Sequence, residues 1–307
     1  MKLSELGERE WVRRLERGDL LIEAGPFKYR LHSNLERVAE GLADLYPDYP
    51  VADPDDFAGI SLRLEPGVGI HRWWRRQVRV SSDGIYPFQP LPLSHAFAQM
   101  EWALNWCVST RAHQYLMLHA AVIERGGHAV IMAAPPGSGK STLCAGLVHR
   151  GWRLLTDEIA LIAPDTAQVH PAVRPIGLKN QSMAVIGDFA PGATFGRVTP
   201  DTSKGAVTHM KVPDAHLLRM HETATPRWIV FPKYVAGAAA QLVPHSRGQS
   251  MLELGANSFN YMLLGRVGFE TLARVVSMSD CHRFSYGDLD EAVAVFDALA
   301  AQPAAGL

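Results

Sequence analysis

The segment Ala134-Pro135-Pro136-Gly137-Ser138-Gly139-Lys140-Ser141-Thr142 follows an apolar run, His128 to Ala133, and precedes a helix-like stretch, Leu143 to Arg150. Strand, glycine turn, Lys-Ser and helix in that order are what a P-loop requires. Successive backbone N–H groups in such a turn, together with the positive end of the helix, make a cradle for phosphate. Pro136, Gly137, Ser138, Gly139, Lys140, Ser141 and Thr142 are therefore the candidate nucleotide-binding residues. Lys140 is placed to reach the outer phosphates, and the Ser141 hydroxyl to hold Mg²⁺. The usual first glycine of the motif is Ala134 here, which is tolerable where φ stays negative. The expected ligand is ATP or another nucleoside triphosphate, or pyrophosphate, since such a turn grips phosphate rather than base.

Working outward, His119 to Glu124 and Gly126-Gly127 suggest a strand and tight turn leading into the P-loop strand. Downstream, Gly151 is placed to stop the helix, and Trp152 to Leu155 is a short strand ending at Thr156-Asp157-Glu158. An acidic pair after an apolar strand near a P-loop is where Mg²⁺ and the attacking group are managed.

The stretch His119 to Glu158 resembles the catalytic core of HPr kinase/phosphorylase, whose fold is related to phosphoenolpyruvate carboxykinase. The matching features are His119, Gly137 to Ser141, Arg150-Gly151-Trp152-Arg153-Leu154, and Asp157-Glu158. The whole chain is similar to a divergent branch, the HPr-kinase-related proteins of the A type. The resemblance implies an α/β P-loop kinase domain with a smaller N-terminal α+β module. It also implies that Lys140 and Ser141 contact phosphate and Mg²⁺, and that Asp157 is a second Mg²⁺ ligand. Glu158 stands where the family has an aspartate base, so either Glu158 or Asp157 takes that role, and His119 matches a family active-site histidine. The family's later Mg²⁺-binding glutamate has no equivalent. Arg174 and Lys179, in Arg174-Pro175-Ile176-Gly177-Leu178-Lys179, are the candidate phosphate clamps, and Thr202-Ser203-Lys204-Gly205 a candidate lid. The implied activity is phosphoryl transfer from Mg-ATP to a hydroxyl-bearing acceptor. A protein or peptide serine comes first; a small-molecule hydroxyl, or a nucleotide-binding regulator with little transfer, are the alternatives. The family forms hexamers, which leaves a homo-oligomer open.

The 307 residues carry 47% hydrophobic side chains and a formal net charge of −1. That is enough for a core, and it gives no global electrostatic case for nucleic acid or an anionic membrane. Cys107, Cys144 and Cys281 match no zinc spacing and suggest buried free thiols, as in a reducing cytoplasm. No apolar run reaches transmembrane length, so a soluble cytoplasmic protein without a membrane partner is expected.

The remaining expectations are structural. Ser4 to Arg17 suggests one charged helix, and Gly25-Pro26 a hairpin turn. Ser33-Asn34-Leu35-Glu36 suggests a capping box before a helix running to Tyr46. Ile60, Leu62, Leu64, Val78 and Val80 suggest a small antiparallel sheet. Between those strands Arg72-Trp73-Trp74-Arg75-Arg76 could grip nucleic acid, but the neutral charge favours tryptophans packed inward. The domain expectation is a module over 1–92, a connecting helix over 93–112 capped by Ser94, a catalytic domain over 113–301 and a tail over 302–307. Within the last domain Trp228 to Phe231 suggests a strand ended by Pro232. Helices are expected over Ser250 to Leu264 and Val267 to Val276, with Phe269, Leu272, Val275 and Val276 on one apolar face, and a final strand and helix from Phe284.

Overall fold

Gly7, at φ +73°, separates a 3₁₀ turn over Leu3–Leu6 from helix α1, Glu8–Arg17, where the sequence suggests one helix. The structure, a computed structural model, describes residues 1–302, so most of the expected tail lies outside the described residues. Strands β1 (Leu20–Ala24) and β2 (Phe27–Ser33) pair antiparallel around Gly25-Pro26, as the turn residues predict. Helix α2 (Glu36–Leu45) follows without the capping box: Leu35 is its N-cap, and the Ser33 hydroxyl accepts the Leu35 N–H instead. Strand β3 (Ile60–Pro66) runs parallel to β2 and antiparallel to β4 (Gln77–Ser81), which takes the short β5 (Leu91–Pro92) on its far side. The sheet is thus mixed rather than antiparallel, because β2 and β3 are joined through α2 and not by a hairpin.

The tryptophans correct another expectation. Trp73 and Trp74 are 81% and 57% exposed, with the Arg72 and Arg75 guanidinium groups over their faces. They sit at and beyond a 3₁₀ turn, Gly69–Arg72, outside both flanking strands, so strand alternation never turns them inward. Helix α3 (Ala96–Arg111) starts at N-cap His95 and buries Phe97, Met100, Glu101, Leu104 and Cys107. Its Phe97 ring lies so close to Gly41 of α2 that a Cβ there would sit 2.0 Å from the ring.

Strands β6 (Leu116–Arg125) and β7 (His128–Ala133) form a hairpin over Gly126-Gly127, both at positive φ. Helix α4 (Lys140–His149) leaves the glycine turn and stops before Gly151 at φ +90°. Strands β8 (Arg153–Thr156) and β9 (Ile159–Ile162) lie end to end along one side of β6, and β10 (Val169–His170) extends the sheet beyond β9.

Strand β11 (Ile176–Lys179), helix α5 (Gln181–Phe189), strands β12 (Thr199–Thr202) and β13 (Gly205–Met210) and helix α6 (Asp214–Leu217) come next. The three strands form a separate antiparallel sheet in the order β11-β13-β12. The expected lid is therefore the tight turn of a hairpin. The Thr202 hydroxyl donates to Gly205 O, and the Lys204 ammonium lies 5.6 Å from the Trp102 ring centre.

Strand β14 (Thr225–Tyr234) returns to the large sheet, parallel to β7, and passes through Pro232 where its ladder to β7 has already ended. After β15 (Gln241–Pro244) come α7 (Arg247–Ala256), α8 (Tyr261–Leu264) and α9 (Arg266–Ser277). The single helix expected over Ser250 to Leu264 is broken at 257–260, because its polar residues serve β6. Asn257 O accepts the His119 N–H at 2.7 Å, the Ser258 hydroxyl donates to Met117 O, and the Asn260 amide bridges Tyr115 O and Met117 N. Leu272, Val275 and Val276 are buried as expected, whereas Phe269 is exposed. Strand β16 (Asp280–Tyr286) pairs parallel with β14, and α10 (Leu289–Ala301) starts at Asp288, whose carboxylate accepts the Glu291 N–H.

The architecture is mixed α/β, with an eight-stranded sheet in the order β10-β9-β6-β7-β14-β16-β15, β8 pairing β6. One face of it carries the core of Leu118, Ala120, Ile131, Ile229 and Phe231 under Leu254, Leu272 and Val275. The chain divides into two units: Met1–Ala112 with Ala172–Ala184 and Gly192–His221, and His113–Pro171 with Val185–Pro191 and the chain from Glu222. These bounds depart from 1–92, 93–112 and 113–301. Helix α3 packs on α2, β3 and β13 inside the first unit, and it takes the small sheet with it. The three cysteines are free and buried. No helix among the described residues is long and apolar enough to cross a membrane.

Candidate functional site

Four strands of the second unit, β6 to β9, bring the glycine turn, His119 and the acidic pair to one line across the sheet. Ala133, the last residue of β7, pairs with Ala120 of β6. On the other side of β6, Val122 pairs with Thr156 and His119 with Ile159, so the Asp157-Glu158 bend interrupts the edge between them. The start of the glycine turn and the acidic pair are thus two interstrand spacings apart, roughly 10 Å. The bend is fixed locally, because the Thr156 hydroxyl accepts the N–H groups of both Glu158 and Ile159. The strand beside it is anchored by the buried pair of Arg153 with Glu124. Arg153 also donates to Glu222 O, and Glu124 also accepts the Gly127 N–H.

Gly137 and Gly139 hold the turn itself. Their φ values are +86° and +88°, a region that side chains with a Cβ rarely adopt. At Gly139 space also excludes a Cβ, which would lie 2.5 Å from the Tyr286 hydroxyl and 2.8 Å from Tyr234 Cβ. At Gly137 nothing lies within 4 Å, so the backbone there is open. The Ser138 hydroxyl oxygen is buried without a hydrogen-bond partner among the described residues. An open glycine, an unsatisfied hydroxyl and the first N–H groups of a helix suit an anion. Lys140, the first residue of α4, is 7% exposed.

His119 and Glu158 come together: Nδ1 and Oε2 are 3.7 Å apart, each side chain about a third exposed. That is ion-pair contact rather than a hydrogen bond. The His119 main-chain N–H donates to Asn257 O, and its ring meets that of Phe259 edge to face, 5.9 Å away between centroids. Asp157, the residue before Glu158, is buried. Burial pushes the Cys144 thiol well up, the Asp157 charge adds to that, and the Lys140 charge opposes it.

Ser141 and Asp157 offer oxygen donors only, the chemistry Mg²⁺ takes. Arg174 and Lys179 belong to the first unit. There the Arg174 guanidinium is held by the Glu101 carboxylate at 3.0 Å and by the Asn105 amide oxygen, inside α3 packing. Lys179 sits in β11, its N–H donating to the Ser182 hydroxyl. The residues that brace the glycine turn, Tyr234 and Tyr286, carry no signal in the sequence, whereas Asn257 and Phe259, beside His119, lie in Asn257-Ser258-Phe259-Asn260-Tyr261, a run unusually polar for a helix middle and on that ground a candidate for substrate or subunit contacts.

A family model described as "SynChlorMet cassette protein ScmC" matches residues 93–177, less than half of the chain but including the glycine turn and the acidic pair. No curated protein matches. Among solved structures, the Hpr(Ser) kinase/phosphatase from Coxiella burnetii matches at 12% identity and a TM-score of 0.28, over 60% of this chain and 97% of that one.

Proposed function

We propose that the second unit is a nucleoside-triphosphate-dependent phosphotransferase acting on a hydroxyl. One observation carries this reading: the register of β7, β6 and the β8–β9 edge sets an open phosphate-type turn beside a partly exposed carboxylate–imidazole pair. The N–H groups of the glycine turn and Lys140 hold the phosphate chain, and the Ser138 hydroxyl finds its acceptor there. Ser141 and Asp157 hold Mg²⁺, which when bound neutralises charge on the phosphate oxygens. Glu158 accepts the acceptor hydroxyl's proton, and His119 orients that carboxylate. Its partly exposed position gives an incoming hydroxyl a path to it, whereas buried Asp157 is better placed as a cation ligand. A serine of a protein or peptide is the first acceptor to try, and a small-molecule hydroxyl the second.

ADP release from Mg-ATP, measured with host extract fractionated into protein and small-molecule pools, tests the reading. One pool should stimulate turnover, and Lys140→Ala and Glu158→Gln should each abolish the stimulation. Nucleotide bound through Lys140 with no pool stimulating turnover would replace the transferase by a nucleotide-responsive regulator.

A further inference from the structure

The glycine turn is gripped on one side by the carboxyl ends of two parallel strands. The Tyr234 N–H at the end of β14 donates to Ser138 O at 2.8 Å. The Tyr286 hydroxyl at the end of β16 donates to Gly139 O at 2.9 Å. The two tyrosines are register partners, and their rings meet edge to face with centroids 5.7 Å apart. Tyr286 is buried and stacked on Phe284, whereas Tyr234 is 51% exposed. A buried ring thus holds an exposed ring next to the turn.

Position gives that exposed ring a use. His119, Asp157 and Glu158 lie on the β6 side of β7, whereas β14 and β16 lie on its other side. A nucleotide whose terminal phosphate points toward Glu158 extends its nucleoside the opposite way, over the ends of β14 and β16. In open α/β sheets the crevice outside the carboxyl ends of the strands is where ligands lie. We propose that the nucleobase stacks on the exposed face of Tyr234. This rests on the phosphotransferase reading and adds the subsite that reading lacks. Stacking uses the π-face that every base has, so the ring serves adenine and guanine nucleotides alike.

Calorimetric titration of the full chain with Mg-ATP, Mg-GTP and Mg-tripolyphosphate tests it, using wild type, Tyr234→Ala and Tyr234→Phe. Both substitutions keep the backbone N–H that holds Ser138. Tyr234→Ala should weaken ATP and GTP by roughly tenfold or more, the lower range of a lost base–aromatic stack. It should leave tripolyphosphate unchanged, and Tyr234→Phe should behave as wild type. If Tyr234→Ala leaves ATP unchanged, or weakens tripolyphosphate as much as ATP, the base subsite is wrong while the phosphate cradle stands. If wild type binds none of the three, the cradle itself fails, and the subsite with it.

Discussion

Glu101 with Arg174 in the first unit and Glu158 with His119 in the second are both acid–base pairs, but their surroundings give them opposite properties. The Glu101 carboxylate is buried, accepts from the Tyr46 hydroxyl at 2.5 Å and faces the Arg174 guanidinium at 3.0 Å. Burial raises its pKa, and Arg174 and Tyr46 pull the other way. Each oxygen already has a donor, so the group is closed to chemistry. Glu158 is partly open to solvent, its partner imidazole stands at 3.7 Å, and an incoming hydroxyl has room. A saturated charge pair stabilises only while both members are present, whereas an unsaturated one remains available to react.

The largest effect should come from breaking the saturated pair. Glu101→Ala strands the Arg174 guanidinium in the interior, and losses of about 3–5 kcal/mol are usual for that. Replacing both by apolar residues of similar volume, Glu101→Leu with Arg174→Met, should recover most of the loss. Urea unfolding of the three variants checks this. A cost under about 1 kcal/mol for the single change would mean that water reaches the pair.

Next comes His209, which lies in the same network. Burial, then the charges of Arg174 and Lys204, lower its pKa to about 3. Between that value and the ordinary value near 6.5, the unfolded chain binds a proton that the folded chain refuses. The contribution of neutral His209 is therefore fully present above about pH 6.5 and falls as pH drops toward 3, by up to about 1.4 kcal/mol per unit. His209→Gln should flatten that slope in unfolding midpoints taken from about pH 7.5 to about pH 4.5. A slope that survives the substitution would assign it to other groups. Asp48 is not one of them: burial opposes its ionisation, but bonds from Lys211 and Lys2 hold it at about 2. Its contribution is lost only as pH falls below the usual carboxylate range, which separates the two windows.

How far such features are legible in the sequence depends on range. The glycine turn is local: Gly137, Gly139 and Lys140 stand between an apolar strand and a helix, and the residues state the backbone they need. The Asp157-Glu158 bend is equally local. What aligns them is not, since the pairing of Ala133 with Ala120 and of His119 with Ile159 is set by long-range packing. The bond from Tyr286 to Gly139 spans 147 residues, and no pattern announces it. Arg174 shows the converse. A lone arginine beside Pro175-Ile176-Gly177 looks like a clamp until Glu101, from a helix 73 residues earlier, is found holding it. The discontinuous first unit was hidden for the same reason, because membership of 172–184 and 192–221 depends on what α3 packs against.

The two glycines of the turn give a middle-sized test with an internal control. Both have positive φ, so Gly→Ala strains either by about 1 kcal/mol or more. Only Gly139→Ala must also push aside the Tyr286 hydroxyl. Gly139→Ala should therefore cost more in stability than Gly137→Ala, by about another 1–2 kcal/mol, comparable to overpacking. Gly139→Ala combined with Tyr286→Phe should recover part of the difference. Equal losses for the two single changes would show that the tyrosine yields freely.

The smallest stability effect belongs to the open pair, and its smallness is informative. Glu158→Gln keeps the side chain's shape and removes a charge that solvent already reaches, so unfolding should shift by no more than about 0.5 kcal/mol. The same change should abolish acceptor-dependent turnover, because an amide cannot take a hydroxyl proton. Stability retained with chemistry lost is the signature of a group held for reaction, the reverse of what Glu101→Ala should give. Destabilisation by Glu158→Gln of the same order as Glu101→Ala would instead make the His119–Glu158 contact a structural tie. The base assignment would then pass to Asp157.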